Sequence, residues 1–353
     1  MNDRLAQSRR QLGRVGLGLA LSCTPWAVWA QAVLGGQSGQ SGQGGQGGSG
    51  GADGSPWLAR IQQAAADSNY QGTLMFSAGG VMSSSRLDHF CDGRQCYERL
   101  EVLDGRARVQ YRHNDRMVTV WPASKLALVE QRGPLDEFPA LPASAGSRVA
   151  EHYELRSIGQ DRVAGHDVEV LMASPRDKHP YAQRLWAERE TGLLLRNDVL
   201  GPAGELLESS AFTDVKLGVR LQPDAVLKPM KKLDGYRVVQ AQAQRVPLDT
   251  EGWAVARPVP GFALVSCTKR PLDATADNGA SVPVLQSVFS DGMAHVSVFI
   301  EPYDAQRHKQ PMGTSLGATH TLMSRRGDWW VTIVGEVPMA TMQLFESMLE
   351  RKR

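Results

Sequence analysis

The stretch from Cys96 to Trp121 reads CYERLEVLDGRARVQYRHNDRMVTVW. Short apolar runs with a period close to two flank two turn pairs, Asp104-Gly105 and Asn114-Asp115. A period of two is typical of strands with one buried face, and these turn residues tolerate the backbone of tight hairpins. The stretch therefore predicts three consecutive antiparallel strands.

The same pattern extends in both directions. Upstream lie YQGTLMFS and RLDHF, and downstream KLALVEQ, RVAGHDVEVLMAS, QRLWAER, LLLRNDVL and ELLESSAFTDVKL. Tight turns at 190–192 and 201–204 join the later strands, and the irregular segment 134–159 is expected to carry a helix. Strands and helices do not alternate as in βαβ units, which argues against a parallel nucleotide-binding sheet. We expect a mainly antiparallel α+β protein.

Helices are predicted near both ends. Ser55-Pro56 suits a helix start, and Trp57, Leu58, Ile61 and Ala65 then recur on one face. The C-terminal part contains the strand candidates FALVSCTKR, PVLQSVFS, MAHVSVFIEP, GATHTLMSRR and WWVTIVGEVP. It ends in an amphipathic helix whose apolar stripe is Met342, Phe345, Met348 and Leu349.

The first residues predict export. Four arginines precede an apolar stretch, 15–29, and small residues follow, which is the layout of a secretory signal. Alternatives are a twin-arginine signal at 8–13 and a lipobox ending at Cys23. No other segment approaches the ~18 to 20 apolar residues of a membrane span. The mature chain is expected to be soluble in the periplasm.

Composition shifts divide the chain into five predicted parts. They are a signal peptide at 1–32, a Gly/Gln-rich disordered linker at 33–55, a large domain at 56–220, an interdomain linker at 221–251, and a small domain at 252–353. The net charge of +2, from 39 basic and 37 acidic residues, gives no sign of a nucleic-acid partner.

The segment FSDGMAHVSVFIEP, from Phe289 to Pro302, places a serine, an aspartate and a histidine close together. A catalytic triad is instead assembled by the fold, usually from distant positions. We interpret Ser290-Asp291-Gly292 as a hairpin turn, followed by a strand with valines on one face and His295 on the other.

Other catalytic signatures are weak. The eight histidines are scattered, and the G-x-S-x-G matches at 47–51 and 313–317 do not lie between a predicted strand and a predicted helix, as a nucleophile elbow does. There is no phosphate-binding loop either. Strand carboxylates are interpreted as a solvated face: Glu98, Glu101, Asp104, Glu188 and Glu190. We predict no catalytic residues, no metal, no cofactor and no enzymatic activity; an exported hydrolase is the least favoured alternative.

Two cysteines bracket a turn in HFCDGRQC, His89 to Cys96. They could form a disulfide, Cys91–Cys96, or bind a metal together with the histidine. Export favours the disulfide. Cys267 is then expected to be a small buried residue.

A set of large apolar residues lies on predicted strands of the large domain. A curved antiparallel sheet could use them to line a lipid-sized cavity, although an ordinary filled core is an equal alternative. The predicted lipid-pocket residues are Leu74, Phe76, Trp121, Leu128 and Trp186.

Over nearly its whole mature length the chain resembles the periplasmic sigma-E regulatory proteins RseB and MucB. The resemblance rests on YQGTLMF (70–76), ERLEVLDG (98–105), RVAGHDVEVL (162–171), YAQRLWAERETGLLLR (181–196), SDGMAHVSVFIEP (290–302), GATH (317–320) and VTIVGEVP (331–338). It implies a half-barrel similar to lipoprotein carriers, with helices against its concave face, joined to a smaller α+β domain.

The resemblance also implies a function. Such proteins bind the periplasmic part of a membrane-anchored anti-sigma factor, of the RseA/MucA type, and protect it from proteolysis. Lipid or lipopolysaccharide-type ligands are implied to release it, and a homodimer is a further partner considered. Aromatic residues near strand ends of the small domain, Phe299, Tyr303 and Trp330, are our predicted partner-binding residues. The alternative is a periplasmic carrier of lipid or lipoprotein.

Overall fold

The computed structural model describes residues 55–131, 145–271, 283–308 and 310–352. The predicted signal peptide and nearly all of the predicted Gly/Gln-rich linker lie outside these ranges. None of the helices within them is long and apolar enough to cross a membrane. The helices are α1 (Ser55–Asp67), α2 (Ala145–His152), α3 (Asp224–Lys231) and α4 (Met339–Met348), with a 3-10 turn at Pro122–Ser124.

Twelve strands form the large sheet. They are β1 (Tyr70–Ala78), β2 (Val81–Cys91), β3 (Cys96–Val102), β4 (Arg108–His113), β5 (Arg116–Trp121), β6 (Leu126–Gln131), β7 (Tyr153–Val163), β8 (His166–Pro175), β9 (Ala182–Glu188), β10 (Leu194–Leu200), β11 (Leu206–Leu217) and β12 (Arg237–Ala241). Their spatial order is β12-β6-β5-β4-β3-β2-β1-β11-β10-β9-β8-β7.

Seven strands form the small sheet. They are β13 (Gln244–Arg245), β15 (Ala263–Pro271), β16 (Pro283–Ser290), β17 (His295–Pro302), β18 (Met312–Leu316), β19 (Thr319–Arg326) and β20 (Trp329–Gly335), in the order β13-β15-β16-β17-β20-β19-β18. β14 (Trp253–Val255) pairs separately with β21 (Leu349–Arg351).

The turn residues explain the predicted meander. Asn114 has φ +51° in the two-residue turn between β4 and β5, and Gly105 has φ +72° between β3 and β4. Asparagine and glycine are the residues that adopt this left-handed backbone most readily. Every strand pair between β1 and β6 is antiparallel and sequential. The mainly antiparallel α+β class is confirmed.

Apolar clusters cover both faces of the large sheet. Leu87 and Leu100, paired across β2 and β3, lie in a cluster that includes residues of α1. Phe90 and Tyr97, paired on the same two strands but pointing to the opposite face, pack with α3. α1 and α3 therefore lie on opposite faces, which differs from the single concave-face placement that the resemblance implied.

The predicted interdomain linker, 221–251, is not an irregular segment. It contains α3, packed against the large sheet, and β12, which pairs in parallel with β6. β13 already belongs to the small sheet, so the chain crosses between Ala241 and Gln244. The Gln-rich composition of this segment reflects its exposed side chains. Where the domain boundary lies stays a prediction.

Candidate functional site

Three of the five predicted lipid-pocket residues pack together. Leu74, Phe76 and Trp186 are each at most 3% exposed and belong to one cluster on the large sheet. The Trp186 indole N–H donates to Asp161 Oδ2 at 3.0 Å, and the Arg196 guanidinium lies 4.4 Å from its ring centroid. At these three residues the sheet is covered by a filled core.

The other two residues extend the face of Leu74 and Phe76 towards solvent. Cross-strand pairing from β1 to β6 connects one residue on each strand, in the order Gly72, Leu87, Leu100, Gln110, Thr119 and Leu128. Paired residues point to the same face, and Leu74 is two residues from Gly72, so Leu128 and Leu74 share a face. Trp121, two residues beyond Thr119, shares it. Both are partly exposed. Leu74, Phe76, Trp121 and Leu128 thus share one face, which we call the apolar face, and its β5–β6 end is open. Trp186 points to the other face, because the register pairs it through Arg196 and Ala211 with Met75.

A buried polar group lies beside the apolar face. The rings of Tyr70 and His89, a cross-strand pair, stack with centroids 5.0 Å apart. Burial, helped by the charge of Arg112, lowers the pKa of His89 to about 3, so this imidazole is neutral. Nothing in the sequence indicated that Tyr70 and His89 would stack, because their pairing depends on how β1 and β2 align.

Cys91 and Cys96 stand opposite each other on β2 and β3 and are joined by a disulfide. His89 Nε2 lies 3.2 Å from Cys91 Sγ, and the three side chains bring their donor atoms within 4.8 Å of one another. Because the sulfurs are bonded to each other, they present no thiolates for a metal. Cys267 is buried and free, as the sequence predicted.

Removing this disulfide is expected to lower the free energy of unfolding by about 2 kcal/mol, since it closes a very short loop. Chemical denaturation of the Cys91→Ser/Cys96→Ser variant measures this. Reduced wild-type protein should show the same loss. The Cys267→Ser variant, which keeps the disulfide, should lose the same stability on reduction as wild type does. An unchanged midpoint after complete reduction would contradict the expectation.

The predicted partner-binding residues share one face of the small sheet. Phe299 and Trp330 point away from the core formed with α4, and each is 3% exposed. Tyr303 is partly exposed, and its ring centroid lies 6.2 Å from that of Trp330. Tyr303 is therefore the member of the set that can contact a partner without rearrangement.

Charged groups surround Tyr303. The Arg325 guanidinium carbon lies 3.8 Å from its ring centroid. The His308 ring stacks on Trp330 at 4.8 Å, and Glu301 accepts a hydrogen bond from Arg307 at 2.8 Å. Sequence reasoning missed Arg307 and His308, because the residues that directly follow Tyr303 have no periodic pattern.

The 290–294 segment is a hairpin turn, which confirms that interpretation. Ser290 and His295 are directly paired, with Oγ and Nε2 3.0 Å apart. Asp291 points elsewhere: its carboxylate accepts hydrogen bonds from the backbone amides of Met293 at 2.9 Å and Ala294 at 2.7 Å. The three residues are not arranged as a triad.

Asp291 also joins the two sheets. Its Oδ2 accepts a 2.8 Å hydrogen bond from the hydroxyl of Tyr153 on β7, and both side chains are buried. The adjacent Met293 packs against apolar clusters of the large sheet. A second bond runs from Thr341 Oγ1 in α4 to the carbonyl of His179, 2.9 Å away. The turn of the smaller sheet is thus a docking point on the larger one.

The interpretation of strand carboxylates as a solvated face was wrong for two of them. Glu98 and Glu188 are 7% and 5% exposed. The Glu188 carboxylate accepts hydrogen bonds from the amides of Glu190 and Thr191 at 3.0 and 2.7 Å. A carboxylate directly before a turn can satisfy turn amides, and that use favours burial.

A cavity of about 340 Å³ lies at the β13–β15 edge of the small sheet, lined by 245–248 and 264–267. Leu264 at its mouth is 43% exposed. None of the predicted pocket or partner residues lines it, so it supports neither prediction.

Comparison with known proteins places most of the described chain in one family. Residues 53–230 match the profile of the MucB/RseB N-terminal domain, and residues 247–350 match that of the MucB/RseB C-terminal domain. The sigma factor AlgU regulatory protein MucB of Pseudomonas aeruginosa is 31% identical over 302 residues, which cover 82% of this chain and 88% of that protein. The sigma-E factor regulatory protein RseB of Escherichia coli is 25% identical over 287 residues, 80% of this chain and 86% of its own.

Solved structures give the same result. The complex of Pseudomonas aeruginosa MucA and MucB contains a chain that is similar with a TM-score of 0.64 and 29% identity, covering 86% of this chain and all of that one. A crystal structure of MucB in complex with MucA(peri) matches with a TM-score of 0.62 and 28% identity, over 86% of this chain and 100% of that chain. The chain belongs to the MucB/RseB family of sigma factor regulatory proteins.

Proposed function

We propose that this protein is a periplasmic negative regulator of an envelope-stress sigma factor. It binds the periplasmic region of a membrane-anchored anti-sigma factor and protects that region from proteolysis. The match to both family domains, together with similar MucB structures that contain MucA, carries the proposal. It acts by binding and performs no catalysis of its own.

The partner surface that we propose includes Tyr303. This ring is partly exposed and lies under Arg325, so it offers an aromatic contact with a fixed cation beside it. Aromatic and arginine side chains dominate binding energy at many interfaces. Phe299 and Trp330 are buried and support the position of Tyr303 instead of contacting the partner directly.

Calorimetric titration of the predicted mature chain, 33–353, with the periplasmic segment of the anti-sigma factor from the same organism tests the proposal. Binding is expected, and Tyr303→Ala should weaken it by about tenfold or more. Tyr236→Ala, at a partly exposed tyrosine directly before β12, is the matched control and should bind as wild type. If folded wild-type protein gave no heat of binding, the proposed function would be refuted. If the two variants bound with equal affinity, the proposed partner surface would be refuted.

A lipid-type ligand is proposed to release the partner through the apolar face. Trp121 and Leu128 are its partly exposed residues, whereas Leu74 and Phe76 behind them are buried. An acyl chain would therefore enter at the β5–β6 end. In the same titration, lipopolysaccharide should dissociate the wild-type complex, and Trp121→Ala/Leu128→Ala should require more of it. If the variant complex dissociated at the same lipopolysaccharide concentration as the wild-type complex, the lipid site would have to lie elsewhere.

A further inference from the structure

A buried acidic side chain lies where the two sheets meet. Glu208 on β11 is 2% exposed and is flanked in the large sheet by Ala78 on β1 and Val199 on β10. The β18–β19 turn of the small sheet covers it. The Ala318 amide donates a hydrogen bond to its carboxylate, and Thr319 Oγ1 lies 3.5 Å from Oε2.

A second acidic side chain approaches from the small sheet. Glu336 directly follows β20, beside the Gly335–His320 pair of β20 and β19. Although its residue as a whole is partly exposed, its Oε1 is buried and has no hydrogen-bond partner in the described part of the chain. The charges of Glu208 and Glu336 act on each other. Two carboxyl groups, one from each half of the molecule, thus lie at the same contact between the two sheets.

The two sheets approach closely here. Gly317, with φ +59°, leads the turn, and a Cβ atom added to it would lie 2.7 Å from both Ala78 Cβ and the Leu207 carbonyl oxygen. Ala318 is fully buried against Tyr181 and Val199. Water therefore reaches Glu208 and the buried Oε1 of Glu336 only when the turn separates from the large sheet.

Other titratable groups also surround the pair. The ring of Tyr181 stacks on His320 with centroids 6.4 Å apart. Burial, with the nearby charge of Glu205, raises the pKa of Tyr181, which keeps this phenol neutral through the physiological range. His320 Nδ1 lies 3.0 Å from the Ala318 carbonyl oxygen. His320 is the neighbouring imidazole whose contribution a control variant has to separate from that of the two glutamates.

We propose that Glu208 and Glu336 form a proton-operated latch between the two sheets, closed in acid and loosened as the medium becomes alkaline. Two ionised carboxylates in a dry contact repel each other and lose their hydration, whereas protonated ones do neither. The latch does not depend on the identity of the protein's partner. It makes the contact between the sheets responsive to the pH of the surrounding medium.

The linkage between proton binding and closure of the contact gives the direction of the pH effect. Burial, and for Glu208 also the charge of Glu336, raises the pKa of Glu208 to about 9 and that of Glu336 to about 7. In an open arrangement both groups reach water and return towards the ordinary value of 4.5. At pH values above that ordinary pKa, the closed form therefore binds more protons than the open form. Closure is therefore favoured in acid, and the advantage is lost as the pH rises through the two raised values.

Hydrogen–deuterium exchange of the full chain, corrected for the intrinsic pH dependence of exchange, tests the latch. Peptides covering 316–320 and 206–210 report on the contact, and a peptide covering 296–300 in β17 reports on the core. The opening equilibrium constant of the contact should rise at least about tenfold between about pH 5.5 and about pH 8.5, because each proton released changes it by up to about tenfold per pH unit. The β17 peptide should stay protected throughout.

The Glu208→Gln/Glu336→Gln variant should remain closed at both pH values. Glu350→Gln, at an exposed glutamate on β21, and His320→Gln should both keep the wild-type response, whereas Gly317→Ala should open the contact at every pH. A flat wild-type profile would overturn the latch. A response that survives in the double variant, or disappears in His320→Gln, would overturn it equally.

Discussion

Replacing Asp291 with alanine is expected to lower the free energy of unfolding by about 3 kcal/mol or more. The carboxylate accepts three hydrogen bonds in a buried setting, from the amides of Met293 and Ala294 and from the Tyr153 hydroxyl. Alanine leaves all three donors without that acceptor. Urea denaturation followed by far-ultraviolet circular dichroism measures the loss.

Two further variants separate the turn from the contact between the sheets. Tyr153→Phe removes only the inter-sheet bond and should cost about 1 kcal/mol in wild type but almost nothing in the Asp291→Ala background. Asp304→Ala is the matched control, because Asp304 also accepts a backbone hydrogen bond, from Gln306 at 2.8 Å, but is exposed. If Asp304→Ala cost as much as Asp291→Ala, burial would not be the cause.

The Phe345→Ala variant is expected to lose about 3 to 5 kcal/mol of stability, the usual cost of truncating a buried phenylalanine. Phe345 on α4 is fully buried, and its ring centroid lies 5.2 Å from that of Phe262 and 5.5 Å from that of Phe289. Its removal opens a cavity at the centre of the core of the small sheet. Chemical denaturation gives the magnitude.

The adjacent Leu344 provides the control for Phe345. It lies on the same helix but is 39% exposed, so Leu344→Ala should cost under about 1 kcal/mol. Hydrogen exchange should place the damage of Phe345→Ala in β16 and β17 and leave β1 and β2 protected. Uniform loss of protection over both sheets would show instead that they unfold as one unit.

Local signals explain why the meander was predictable. A hairpin is specified by its turn and by the alternation beside it, and both lie within about a dozen residues. Asn114 and the 290–294 turn were therefore placed correctly from sequence. The apolar stripe Met342, Phe345 and Met348 was equally legible, because helical periodicity is also local.

Pairing between distant segments was not predictable. β12 joins β6 in parallel although about a hundred residues separate them, and its side chains are mostly exposed. β18 is exposed at every position and gives no alternating pattern. Such strands are held by backbone hydrogen bonds to a neighbour, which leave no trace in side-chain type.

The acidic residues in the contact between the sheets were missed for a related reason. Glu208 lies two residues from Ser210 and four from Phe212, both buried, so strand parity pointed it inward. A strand carboxylate more often faces water, and nothing in the local sequence distinguished Glu208 from the other strand carboxylates. Burial of Glu208 depends on the small sheet covering it, a tertiary contact that the local sequence does not encode.

The short crossing from β12 to β13 limits what opening of the contact can mean. Only residues 242 and 243 lie between the two strands, a reach of about 11 Å, whereas a flexible chain over 221–251 would have allowed roughly 30 Å. The two sheets therefore cannot drift apart; they can only swing about a fixed pivot. Each stays near the other at an effective concentration of the order of millimolar, so any molecule that holds them apart has to compete with that tethered neighbour.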